Sequence, residues 1–177
     1  MFLYLAMIDS DADKSKFEIL YSEYKNLMYY TANHILRNSS DAEDVVHQAF
    51  LKVIEILDTI SSPRCHKTRA LLVTITEHKA IDLYREKQRR NVLPLAEEYI
   101  GAAPAAEIER LAERDTLAAA IAALPPRYRS VLLLRYDCGY SNAEIANILD
   151  TTEPNVRKLI QRAKEKLSAK LRGTEEP

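Results

Sequence analysis

The chain has 177 residues, a net charge of −1, 47% hydrophobic and 29% charged side chains, the profile of a soluble globular protein with one domain or two small ones. Three glycines, no tryptophan and long stretches without proline argue against a turn-rich β-protein and for helix almost throughout. Cys65 and Cys138 stand apart with no CxxC spacing, so neither a disulfide framework nor a zinc site is expected, and a reducing cytoplasm fits.

The opening MFLYLAMI is apolar but carries no basic leader, and eight residues are too few for a signal peptide or a membrane span. It is expected to pack on the first helix or to fray, with no membrane insertion of its own. From Lys14 to Arg37, Phe17, Leu20, Tyr21, Tyr24, Leu27, Met28, Thr31, Ile35 and Leu36 recur at helical spacing. Four of the ten tyrosines (21, 24, 29, 30) fall here, and at this spacing an aromatic stripe reads as core rather than as a stacking platform for nucleic acid.

Asn38-Ser39-Ser40 interrupts the pattern, and Ser40 or Asp41 can cap a second helix reaching about Leu57. Val45, Ala49, Phe50, Val53, Ile54 and Leu57 form its buried stripe. Asp41, Glu43 and Asp44 offset the positive end of the helix dipole. Asp44, His47 and Gln48 share a polar ridge fit to meet a partner protein.

A third helix is expected from about Lys67 to Arg90, although Val73-Thr74-Ile75-Thr76 would also suit a short strand. Leu71, Ile75, His78, Asp82 and Arg85 lie on one face that turns from apolar to polar. REKQRR, residues 85–90, has four basic residues and one acid, a local +3 able to grip a phosphate backbone. Asp82 and Arg85 could equally form a surface ion pair. His78 and Asp82, with His34, His47 or His66, could be imagined as a helical metal site. No HExxH or Cys/His cluster accompanies them, so no metal, cofactor or enzymatic activity is expected.

Asn91 to Asp115 differs in kind, with Pro94, Gly101, Pro104 and six acids against Arg110 and Arg114, a net −4. It reads as an interdomain linker to about Ala105, followed by a helix from Glu107 to Ala123 that ends at Leu124-Pro125-Pro126. Arg127 to Tyr136 forms the next helix, with Val131, Leu132 and Leu134 inward, and Gly139 turns the chain.

Ser141 to Leu167 then reads as two helices joined tightly. Ser141 and Glu144 have capping-box spacing, and Ile145, Ile148 and Leu149 form one stripe ending near Asp150. Thr151 or Thr152 can cap the next helix, where Pro154 fits the first turn. In that helix Val156, Ile160, Ala163 and Leu167 point inward, leaving Asn155, Arg157, Lys158, Gln161 and Arg162 outward. Seven Lys or Arg (157, 158, 162, 164, 166, 170, 172) stand against Glu165 between Pro154 and Arg172, a local +6 suited to phosphates and base edges of duplex DNA.

These pieces, in this order, resemble the small extracytoplasmic-function (ECF) sigma factors of the sigma-seventy family. The resemblance runs from Phe17 to Leu171 and is carried by DAEDVVHQAFLKV (41–53), AIDLYREKQRR (80–90) with Leu71, Ile75 and His78 in step before it, LPPRYRSVLLLRYDCGYSNAEIANIL (124–149) and NVRKLIQRAKEKL (155–167). It implies an all-α fold of two small helical domains: an N-terminal helical bundle and a C-terminal four-helix domain with a helix-turn-helix, joined by a flexible acidic linker. The expected bounds are 1–92, 93–108 for the linker, and 109–173.

The resemblance further implies that Asp44, His47 and Gln48 dock on core RNA polymerase, where the family commonly has Asp, Gln and Glu. It implies that His78, Asp82, Arg85, Lys87, Arg89 and Arg90 open and hold the minus-ten element, with Leu71 and His78 replacing frequent Trp and Asn. Thr152, Asn155, Arg157, Lys158, Gln161 and Arg162 would read the minus-thirty-five element, with Lys158-Leu159 in place of a frequent Ser-Arg pair. The linker resembles a segment threaded near the polymerase active site, and an anti-sigma factor is implied as a further partner. The rival reading is a stand-alone helix-turn-helix regulator, which leaves the first ninety residues unexplained and requires a dimer seam and a palindromic site.

Overall fold

The computed structural model describes residues 2–90 and 116–172, and every described element is helical or a turn. The linker expected over 93–108, and the first part of the helix expected from Glu107, lie outside the described residues. The chain divides into two compact units, Met1–Tyr99 and Ile100–Pro177.

In the first unit a short helix α1 (Phe2–Leu5) precedes α2 (Asp11–Leu36), α3 (Ser39–Glu55) and α4 (His66–Arg90), with a 3-10 turn at Leu57–Thr59. α2 begins earlier than the apolar spacing predicts. Ser10 accepts a hydrogen bond from the Asp13 amide, and Asp11 and Asp13 occupy the first turn, a start signal lying N-terminal to the first core residue. α2 ends at Arg37, whose left-handed conformation (φ 51°) lets its N–H reach the Asn33 carbonyl.

The cap of α3 also differs from expectation. It is Asn38, whose side chain accepts from the Asp41 amide at 3.0 Å, rather than Ser40 or Asp41. Asn38 has the extended backbone a cap needs, whereas Ser40 and Asp41 are already helical.

α2, α3 and α4 pack pairwise around Phe17, Leu20, Met28, Val45, Phe50, Leu71, Leu72 and Ile75, all essentially without exposed surface. Phe17 and Phe50 meet edge to face with ring centres 5.7 Å apart. The β-branched run of α4 is helical, and the buried Thr76 hydroxyl donates to the Leu72 carbonyl at 2.8 Å, so that burying it leaves no unmet hydrogen bond. Lys52 is buried on α3 yet paired with Glu55 at 2.9 Å, its stem lying along apolar surface while its ammonium keeps a carboxylate.

In the second unit α5 (Thr116–Ala122) is followed by α6 (Pro126–Leu132), which carries Pro126 at its start. The helix expected over Arg127–Tyr136 is not uniformly α. Its last part, Leu133–Asp137, is a π-helical turn closed by Cys138 N–H to the Leu133 carbonyl at 2.9 Å. Then come α7 (Asn142–Ile148) and α8 (Glu153–Arg172), and α8 packs against α5, α6 and α7.

Candidate functional site

The joint between α7 and α8 is built from local chemistry. Glu144 N–H donates to Ser141 Oγ at 3.2 Å, and Ser141 N–H donates to Glu144 Oε2 at 2.7 Å, completing the capping box. The Ser141 hydrogen bonds hold the Glu144 carboxyl below the usual carboxylate range. Ile145, Ile148 and Leu149 are all buried, as their spacing predicts. Asp150 then takes a left-handed conformation (φ 47°), and Thr151 N–H closes back to the Ala146 carbonyl at 2.9 Å. α8 starts at once, with Val156 N–H donating to the Thr152 carbonyl at 3.0 Å. Upstream, Gly139 (φ +83°) makes the turn that brings Tyr140 N–H to the Leu134 carbonyl.

The inward seam of α8 is Val156, Leu159 and Ala163. Ile160 and Leu167, expected inward, are half-buried, while Leu159, left out of the expected inward stripe, is 4% exposed. Both spacings fit a helix. Packing against three neighbours sets the arc, which runs from 159 through 163 to 156 and leaves 160 and 167 beyond its other edge. The outward expectation holds otherwise: Thr152, Arg157, Lys158, Gln161 and Arg162 are exposed, and Asn155 is half-buried.

These outward groups are not equally available. Arg157 is ion-paired with Glu153 one turn earlier, Gln161 donates to Glu165 at 3.1 Å, and Asn155 Nδ2 donates to Thr151 Oγ1 at 2.8 Å. Lys158 and Arg162 have no such partner among the described residues, and are the uncommitted cations of the face. Further along, Lys164 lies over the ring of the exposed Tyr136 at 5.2 Å.

On α4, Leu71 and Ile75 are core, His78 and Arg85 are half-buried, and Asp82, Lys87, Arg89 and Arg90 are exposed. Asp82 meets His78 Nδ1 at 3.3 Å. Arg90 pairs with Glu86 within the helix. Lys87 reaches both carboxylate oxygens of Asp41 on α3, a tie across 46 positions that no periodicity signals. Asp44, His47 and Gln48 stand exposed on α3. His47 Nδ1 is hydrogen-bonded to the Tyr4 hydroxyl of α1 at 2.6 Å, which sequence reasoning also missed. Among the described residues no three His, Cys, Asp or Glu side chains converge as a metal site, and no helix is long and apolar enough to cross a membrane.

Residues 20–90 match the family model for Sigma-70 region 2, and residues 114–167 match that for Sigma-70, region 4. The chain is 27% identical over 172 residues to the ECF RNA polymerase sigma factor SigW of Bacillus subtilis, covering 90% of this chain and 91% of SigW. It is 26% identical over 148 residues to the ECF RNA polymerase sigma factor SigL of Mycobacterium tuberculosis, covering 82% and 83%. The chain belongs to the sigma-70 family, in its ECF group.

As a sigma factor, it directs RNA polymerase to promoters and has no catalytic chemistry of its own. The solved structure of CnrH in complex with the cytosolic domain of CnrY is 28% identical to it, covering 90% of this chain and 89% of that one, with a TM-score of 0.39. The region 2 match takes in α3, α4 and most of α2, and with them Asp44, His47 and Gln48 and the basic end of α4. The region 4 match contains α7 and the first three quarters of α8.

Proposed function

We propose a division of labour within this sigma factor, over domains 1–92 and 109–173 joined by the linker 93–108. Asp44, His47 and Gln48 dock the first domain on core RNA polymerase. His78, Asp82, Arg85, Lys87, Arg89 and Arg90 hold the opened minus-ten element. Thr152, Asn155, Arg157, Lys158, Gln161 and Arg162 read the minus-thirty-five element as duplex.

The observation that carries the reading is the two-sided construction of α8. Its Val156–Leu159–Ala163 seam is buried while Lys158 and Arg162 stand outward and, among the described residues, uncommitted, on a helix narrow enough for a major groove. The basic end of α4 supports the second assignment, because single-stranded DNA is held by cations along its backbone. The acidic linker, net −3 over 93–108, would be repelled by DNA and would suit a basic channel in the polymerase. The site of action is the cytoplasm, where a polymerase holoenzyme meets the genome. An anti-sigma protein would act by covering the ridge at Asp44 or the linker gap. A pull-down from unstressed cells that recovers polymerase but no small membrane-linked protein counts against that partner.

Footprinting of the holoenzyme on a genomic promoter tests the division. Arg162→Ala should lose protection of the upstream duplex element, and Arg85→Ala should keep it while losing permanganate reactivity of unpaired thymines near the start site. Loss of both signals in both variants would show that the two faces do not act separately.

A further inference from the structure

The N-terminal segment makes one polar contact that the assigned roles leave unused. Tyr4 is 8% exposed, and its ring sits 5.4 Å from Phe17, 5.9 Å from Tyr21, 5.9 Å from Phe50 and 5.3 Å from His47. The ring is therefore core. Its hydroxyl emerges from that core at the exposed ridge of α3 and meets His47 Nδ1 at 2.6 Å. An aromatic side chain with a buried body and a polar tip is suited to fixing a group at such a boundary.

Tyr4 is itself held from both sides. Met7 N–H donates to the Tyr4 carbonyl at 3.0 Å, Ile8 is buried, and Ser10 then caps α2, so the chain from Tyr4 to α2 is anchored along its length. The phenol carries its proton at neutral pH, and burial, with Tyr21 beside it, pushes its pKa further above the usual value. When the phenol donates to Nδ1, a neutral imidazole must carry its own proton on Nε2. With the phenol as donor, this one hydrogen bond sets both the ring orientation and the tautomer of His47.

We propose that Tyr4 is a positioning residue of the polymerase-docking ridge, its hydroxyl holding the His47 imidazole so that Nε2–H is presented to core RNA polymerase as a hydrogen-bond donor. This rests on the docking role of the Asp44, His47 and Gln48 ridge. The polymerase group it fits is an acceptor, a carboxylate or a carbonyl. Leaving a rotatable imidazole in place of an oriented one forfeits part of a hydrogen bond across the interface, about a fivefold loss in affinity.

The test uses the full chain with core polymerase, comparing the parent, Tyr4→Phe, His47→Ala, the double variant and Asp44→Ala. Tyr4→Phe keeps the ring and removes only the hydroxyl. It is expected to weaken polymerase binding about fivefold, and to add nothing on top of His47→Ala. Nitrogen-15 NMR of the free chain should show His47 in the Nε2–H tautomer in the parent and a mixture of tautomers in Tyr4→Phe, a change that loosened packing alone does not produce. If Asp44→Ala weakens binding while Tyr4→Phe binds as the parent does, or if the His47 tautomer is the same in both chains, the positioning role is overturned and the docking ridge survives. If Asp44→Ala and His47→Ala both bind as the parent does, the docking reading fails and the positioning role with it.

Discussion

Lys87, in the basic last turn of α4, is held by both carboxylate oxygens of Asp41 in the first turn of α3. One carboxylate therefore serves two positive partners, the amide end of α3 and a lysine proposed to meet the minus-ten strand. A phosphate approaching Lys87 must compete with Asp41. The lysine is half exposed, which keeps the exchange cheap, since surface pairs contribute roughly 0–1 kcal/mol.

Releasing the lysine should strengthen single-strand binding. Asp41→Asn is expected to raise the affinity of the holoenzyme for a minus-ten non-template oligonucleotide about threefold, the factor that a pair of about 0.7 kcal/mol allows. The salt dependence should steepen at the same time. Fluorescence anisotropy at several salt concentrations checks it, and unchanged affinity would mean that Lys87 does not reach the strand.

The outward cations of α8 should not be equivalent. Arg162→Ala removes an uncommitted charge and is expected to flatten the salt dependence of duplex binding by about one counterion, roughly 0.9 in the log–log slope. Arg157→Ala removes a charge already balanced by Glu153, so a smaller change is expected. Binding titrations of the two holoenzymes on one promoter, over a salt series, separate them.

Leu159 belongs to the core rather than to the DNA-reading face. Leu159→Ala is expected to destabilise the second unit by about 2–5 kcal/mol through the cavity it leaves, while exposed Lys158→Ala should leave stability within about 0.5 kcal/mol. Thermal unfolding of the two variants decides it. A Leu159→Ala chain as stable as the parent would place 159 on the surface.

The capping box makes the helix-turn-helix acid-sensitive at a definable group. The folded pKa of Glu144 is lowered, so its contribution is fully present above the ordinary carboxylate range and is lost as pH falls through the lowered folded value. Ser141→Ala should cost about 1 kcal/mol at neutral pH. Glu144→Gln, which can still accept from the Ser141 amide, should reduce the acid-dependent part of the loss. Unfolding of both variants at neutral and acid pH measures the difference.

Local chemistry was legible in the sequence. Ser141 with Glu144, Ile145 with Ile148 and Leu149, and Pro154 each signal their structure within a few residues, and each is found as its spacing predicts. The start of α2 was legible too, in the Ser10-Asp11-Ala12-Asp13 stretch, but only when the cap is read ahead of the first apolar residue.

What periodicity cannot show is which of two helical registers faces a wider contact. Leu159 was displaced from the stripe because 156, 160, 163 and 167 satisfy the same template as 156, 159 and 163. Nor can it show ties between distant segments. Tyr4 to His47 spans 43 positions and Lys87 to Asp41 spans 46, and each links residues whose local reading was only apolar or only charged. The functional roles were legible mainly through the resemblance, because exposed Asp44, His47 and Gln48 follow from helical spacing while a partner does not.

The most direct test of the account is co-purification with core RNA polymerase followed by run-off transcription, comparing the parent chain with Asp44→Ala and Arg162→Ala. The account predicts that the parent forms a stoichiometric complex and creates new start sites. Asp44→Ala should weaken the complex, and Arg162→Ala should keep the complex while giving fewer transcripts from those start sites. A full complement of complex and transcripts from Asp44→Ala, or loss of polymerase binding in Arg162→Ala, would contradict the assignment of docking to the first unit and duplex reading to the second.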